Sequence, residues 1–151
     1  MYKDFTEMPV WQSAMNIAES IFHLTTRLPK QEDYGLTSQL RRAAVSISAN
    51  IAEGFGRQGA ADKRKFYDYA RGSAFETKSL LLYGERVKYF ATEKTDTLIQ
   101  QINEVIHEIN KIKISLGREC SFFCVKTIFD KRSALKIKRC VAASLRENTL
   151  A

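Results

Sequence analysis

The residues best suited to chemistry are few, and their spacing argues against each obvious enzyme class. Glu104-Val-Ile-His107 has the E-x-x-H spacing of di-iron bundle sites, and Glu19, His23, Glu53 and Glu76 lie elsewhere in the chain. Such a site needs two E-x-x-H elements and two further glutamates, all pointing inward. Glu19 and His23 are four residues apart, so only one element exists. At ~100° per residue, Glu104, His107, Glu19 and His23 fall far from the apolar seam of their own helices. A solvated surface is the expectation for all four, and a di-iron enzyme is the distant alternative. Cys120, Cys124 and Cys140 lack the paired spacing of zinc ligands, and no histidine follows them. Gly54-Phe-Gly-Arg-Gln-Gly59 matches G-x-G-x-x-G, a phosphate-binding turn only when it joins a strand to a helix. Here a helical pattern precedes it, so a helix-terminating turn that uses glycine at positive φ is expected. No pattern calls for a cofactor or a metal, and neither histidine has a sequence-adjacent nucleophile.

The basic residues carry more information. Arg57, Lys63, Arg64 and Lys65 bracket the start of the third helical segment, with only Asp62 among them. Cations at a helix N-terminus oppose the macrodipole, at about 0.3–1 kcal/mol each when exposed. A bound anion would reverse that sign, and a phosphate backbone is the natural candidate. On this reading the four cations are unfavourable without a ligand, and their removal should leave the fold at least as stable. A second basic group, Lys131, Arg132, Lys136, Lys138 and Arg139, lies near the C-terminus. The net charge of +7 is uneven: residues 1–117 hold 16 Lys and Arg against 14 acids, and residues 118–151 hold 8 against 3. The chain therefore divides at Gly117 into a body, 1–117, and a basic, cysteine-containing tail, 118–151.

The elements that would position these groups are helical. The 151 residues suffice for one domain with a core, 44% are apolar, and the only prolines are Pro9 and Pro29. No apolar run is long enough to cross a membrane, and the N-terminus lacks a signal-peptide core. A cytoplasmic protein with reduced thiols is expected. Apolar residues recur at helical spacing in four segments, about 9–28, 36–55, 61–90 and 93–116. The first gathers Trp11, Ala14, Met15, Ala18, Ile21, Phe22 and Leu28. The second gathers Leu36, Leu40, Ala43, Ala44, Ile47 and Ile51. The third gathers Phe66, Tyr69, Ala70, Ser73, Thr77, Leu80, Gly84 and Val87. The fourth, with Thr92 as its N-cap, gathers Leu98, Ile102, Val105, Ile106, Ile109, Ile112 and Leu116, the cleanest seam of all. Short connections make this an all-α, antiparallel four-helix bundle.

Two helices carry more apolar surface than one seam requires. Val45, Ala49 and Ala52 lie on the reverse of the second helix. Phe75, Leu82 and Tyr89 form a heptad stripe opposite the main face of the third. Exposed apolar stripes mark a partner, and self-association through Val45, Ala49, Phe75, Leu82 and Tyr89 is expected.

The segment Tyr34-Gly-Leu-Thr-Ser-Gln-Leu-Arg-Arg-Ala-Ala-Val-Ser-Ile-Ser-Ala-Asn-Ile-Ala-Glu-Gly-Phe-Gly-Arg57 resembles the bacterial four-helix bundle proteins encoded in intervening sequences of 23S rRNA genes. Phe66-Tyr-Asp-Tyr-Ala-Arg-Gly-Ser-Ala-Phe-Glu76 and Val10-Trp-Gln-Ser-Ala14 are similar to the same family, so the resemblance spans about 1–117. It implies a homopentameric ring and a relation to the accessory variability determinant of diversity-generating retroelements, which works with a reverse transcriptase. Ser48 stands where the family commonly has proline, which implies a straighter second helix, and the family pattern does not cover the tail. The expectation is a non-enzymatic, oligomeric scaffold that binds RNA or DNA electrostatically. The alternative is a protein-interaction adaptor, such as an accessory subunit of a reverse transcriptase.

Overall fold

The computed structural model describes the backbone of residues 2–128 and the side chains of residues 2–117. Four α-helices follow one another: α1 (Pro9–Thr25), α2 (Leu36–Gly56), α3 (Ala60–Arg86) and α4 (Thr92–Ile128). Single 3₁₀ turns at Phe5–Glu7 and Lys30–Glu32 precede α1 and α2, and no strand occurs among the described residues. The short connections make successive helices antiparallel. α2 and α3 share the most extensive packing, and α4 closes the bundle against α3 and α1.

Helix boundaries follow from local chemistry. Pro9 occupies the first position of α1, where its missing N–H and fixed φ cost nothing. Glu32 supplies an acceptor at the start of α2, taking a hydrogen bond from the Leu36 N–H at 3.1 Å. Thr92 is the first residue of α4 and not its N-cap. Its hydroxyl donates to Glu85 at 3.1 Å, and the Ala91 carbonyl accepts the first helical N–H bonds. α4 also passes through Gly117 to Ile128, beyond the expected end at 116. One interior glycine costs a helix about 1 kcal/mol against alanine, too little to end 37 residues.

The third helix ends earlier than its sequence pattern, at Arg86, in a Schellman motif. The Tyr89 N–H reaches the Gly84 carbonyl at 2.8 Å and the Lys88 N–H reaches Glu85 at 2.9 Å. Lys88 takes the left-handed position with φ 66°, which glycine occupies at lower cost. The chain folds back so tightly that the Phe90 ring rests on Gly84, where any Cβ would enter the ring's van der Waals shell. Lys88→Gly should therefore raise stability by about 1 kcal/mol, read as a higher urea midpoint at unchanged slope. An unchanged or lower midpoint would show that the lysine side chain makes a compensating contact.

The core contains Ile17 and Ile21 from α1, Leu40, Ile47 and Ile51 from α2, Tyr67, Ala70, Ala74 and Leu81 from α3, and Leu98, Ile102, Val105 and Ile109 from α4. Each aliphatic side chain removed from water contributes about 1.5–3 kcal/mol. The α2 and α4 seams lie where the periodicity put them, with Ile106, Ile112 and Leu116 at the edge of the core. The other two seams agree in part: Ala14, Ala18 and Ile21 in α1 and Ala70, Thr77 and Gly84 in α3 are buried as expected. In α1, Val10 and Ile17 are buried too, and Phe22 is half-exposed, with Arg41 from α2 over its ring at 4.4 Å and donating to Thr25 at 2.8 Å. In α3 the buried line adds Tyr67, Ala74 and Leu81 to the expected residues, while Tyr69 faces outward and Val87 is exposed just past the helix end. Small residues on that line let α2 approach closely. At Gly54 a Cβ would stand 3.3 Å from the side chains of Phe66 and Tyr67.

Candidate nucleic-acid interface

The antiparallel topology gathers the basic residues at one end of the bundle. The C-terminus of α2, the N-terminus of α3 and the middle of α4 meet there. Asp68 accepts from Lys113 and pairs with Arg71 at 3.0 Å, and Arg71 reaches Asn110 at 3.2 Å, which sets the α3–α4 register. The Arg64 guanidinium lies 4.0 Å from the position a Cβ on Gly117 would occupy, continuing that register to the junction. Here α4 runs on toward the basic C-terminal segment. Lys131, Arg132, Lys136, Lys138 and Arg139 lie outside the described residues.

The structure brings Arg57, Lys63, Arg64 and Lys65 together, but on a different footing from a bare helix N-terminus. Lys63 donates to the Phe55 carbonyl at 3.4 Å, in the last turn of α2. Carbonyls at a helix C-terminus favour cations, so the dipole of α2 offsets that of α3 at the junction. Arg57 pairs with Glu53 and lies 4.5 Å from the centre of the Phe66 ring. Lys65 stands 5.9 Å from the Tyr69 ring, and Lys63 the same distance from Phe55. These cation–π contacts each contribute about 0.5–1 kcal/mol at exposed sites. The expectation that removing the four cations leaves the fold at least as stable is therefore replaced: their losses and gains nearly cancel.

The sequence pattern places Phe66 and Tyr69 on the core face of the third helix, which hides them as partners of the cations. The i,i+4 spacing of Lys65 and Tyr69 was the available signal. Phe66 and Tyr69 also meet edge to face at 5.8 Å, so the two rings sit side by side with Arg57 at one end and Lys65 at the other.

The remaining candidates separate. Glu19, His23, Glu53, Glu76, Glu104 and His107 are all exposed, and no group of three or more metal-binding side chains forms among the described residues. Gly54-Phe-Gly-Arg-Gln-Gly59 spans the end of α2 and the α2–α3 turn, and no described glycine has positive φ. Gly54 serves close packing and not the conformational freedom expected of it. Val45 is 55% exposed, Phe75 53% and Leu82 42%, and Ala49 is exposed beside Val45. Val45, Ala49, Arg42, Ser46 and Glu76 line an open groove of about 880 Å³ on the outer face of α2. Tyr89 lies beyond the end of α3, and its hydroxyl donates to Glu32 at 3.1 Å. That bond, and then the charge of Glu32, hold the phenol above its ordinary pKa. The heptad stripe on α3 therefore consists of Phe75 and Leu82.

No helix among the described residues is long and apolar enough to cross a membrane. No curated protein matches the chain. A crystal structure from Bacteroides thetaiotaomicron, described as a protein with unknown function from the S23 ribosomal protein family, superposes with a TM-score of 0.63 at 23% identity. The match covers 69% of this chain and 97% of that one. At that identity the likeness carries the fold, the same four-helix arrangement. Residues 6–111 match the description 23S rRNA-intervening sequence protein, a span that takes in α1, α2, α3 and most of α4. With the helical bundle, the α2 segment and the α3 segment all inside the matched span, the chain belongs to the family of 23S rRNA-intervening sequence proteins.

Proposed function

We propose that this protein is a non-enzymatic, homo-oligomeric scaffold that binds nucleic acid through the basic end of its bundle. The observation that carries the reading is the gathering of Arg57, Lys63, Arg64 and Lys65 at one end of the bundle. Contacts of this kind are electrostatic and weakly sequence-specific, because they fall on phosphates and the described residues present no groove-reading motif. In an oligomer the same patch repeats, so each further contact becomes intramolecular and modest site affinities multiply into avidity. A homopentameric ring is the assembly that the family resemblance implies, and the outer face of α2 and α3 would form its contacts.

The test is a fluorescence-anisotropy titration of the full-length protein with labelled RNA and DNA at two salt concentrations. Replacing Arg57, Lys63, Arg64 and Lys65 with glutamine should weaken binding at least about tenfold at low salt and flatten the salt dependence, because fewer counterions are released. Folding stability should change by no more than about 1 kcal/mol, since exposed pairs and cation–π contacts are individually small. Glutamines at Lys131, Arg132, Lys136, Lys138 and Arg139 form the companion variant. If that variant alone loses binding, the C-terminal segment carries the interaction and the junction does not. If the wild-type chain binds neither RNA nor DNA at low salt, the exposed apolar face favours the adaptor reading, in which a protein such as a reverse transcriptase is the partner.

A further inference from the structure

The basic end of the bundle carries a feature that phosphate contacts alone do not use. Tyr69 is 49% exposed in the third turn of α3, and its neighbours are cations and rings. Lys65 lies 5.9 Å from the Tyr69 ring centre, Phe66 meets Tyr69 edge to face at 5.8 Å, and Arg57 lies over Phe66 at 4.5 Å. Phe66 is partly buried, which leaves Tyr69 as the exposed ring of the pair. An aromatic ring half exposed to solvent, packed against a second ring and bordered by cations, suits a flat group attached to an anion. A nucleobase on its phosphate backbone has that chemistry.

On the reading that this end binds nucleic acid, we propose that it binds single strands, with one base stacked on Tyr69 and the adjoining phosphates held by Lys65 and Arg57. Paired bases present their faces to one another and not to a side chain, so a duplex could use the cations and not the ring. A stacked base is worth about 1–3 kcal/mol by alanine substitution and tolerates any sequence, since every base has a π-face. Tyr69 also lies roughly 120° around α3 from Phe75 by the helical repeat. The stacking surface is thus distinct from the apolar stripe that would face a second copy of the chain.

The experiment compares full-length wild type, Tyr69→Ala, Tyr69→Phe and Tyr69→Trp in anisotropy titrations. The probes are a labelled unstructured 20-nucleotide RNA, the same strand with its complement annealed, and a strand of equal length with abasic positions. Wild type should bind the single strand at least about fivefold more tightly than the duplex or the abasic strand. Tyr69→Ala should weaken single-strand binding at least about fivefold, the lower end expected for one stacked base. Its duplex affinity and salt slope should stay at wild-type values, and phenylalanine or tryptophan at position 69 should restore the single-strand preference. Equal loss on single strand and duplex, no loss with Tyr69→Ala, or failure of both aromatic replacements to restore the preference would overturn the stacking assignment. In each of those outcomes wild type still binds, so the nucleic-acid reading stands. Absence of binding to all three probes by wild type at low salt would instead remove that reading and the stacking assignment with it.

Discussion

Replacing Ile102 with aspartate should yield a chain that does not fold. Ile102 is fully buried in α4, one turn after Leu98, one turn before Val105 and two before Ile109. Losing a core isoleucine alone costs about 2–5 kcal/mol. An unpaired carboxylate in the same space adds several more, whether it stays charged or takes up a proton. Together these approach the whole stability of a domain, roughly 5–15 kcal/mol. Ile106→Asp makes the contrast: Ile106 packs at the edge of the core, where a carboxylate can reach water. That variant should fold with stability reduced by about 1–3 kcal/mol. His107→Ala, on the exposed side of the same helix, should be indistinguishable from wild type in stability and metal content. Circular dichroism and urea titration of the three proteins decide it. A cooperative transition of Ile102→Asp at the wild-type midpoint would show that the α4 seam does not hold the bundle together.

The α4 seam was legible because its apolar residues are large, aliphatic and strictly periodic, so one face dominates the pattern. In α3 the buried line adds Tyr67, Ala74 and Leu81 to the expected Ala70, Thr77 and Gly84, and the pattern instead favoured Tyr69, whose ring is half exposed. Size complementarity with α2, not hydropathy, decides which face turns inward there, and it is a property of two helices together. Phe22 shows the same limit: a ring that reads as core in one helix is covered instead by Arg41 from another. The cations of the candidate site were visible as residue types. Their partners were not, because the Phe55 carbonyl and the Phe66 and Tyr69 rings come into range only when α2 and α3 meet end to start. Gly117 misled for a different reason, since a change of composition there coincides with no change of backbone state.

Leu82→Glu and Phe75→Glu should each shift the protein from a multimer to a 17.3 kDa monomer. Wild type is expected as a particle several times that mass, with five chains the number that the family resemblance implies. Phe75 and Leu82 are seven residues apart, so they lie within about 20° of each other along the outer face of α3. The hydrogen bond of 2.9 Å between Ser46 and Ser73 sets the α2–α3 register, which brings Val45 level with Phe75. Phe75, Leu82, Val45 and Ala49 are exposed, with no covering element among the described residues. A stable contact between copies needs about 800 Å² from each, with apolar side chains at its centre and polar neighbours at its rim. A glutamate placed there stays solvated in the monomer and loses water at every contact in the multimer, so the penalty falls on assembly and not on folding. Light scattering and sedimentation at micromolar concentration read the masses, and circular dichroism checks that the variants remain helical. A wild-type particle of one chain would remove the assembly proposal, and multimers in both variants would move the contact to another face. Because Tyr69 and the basic junction lie elsewhere on the bundle, the monomeric variants should retain the single-strand preference. Their affinity should still fall, through loss of the repeated sites that a ring holds together.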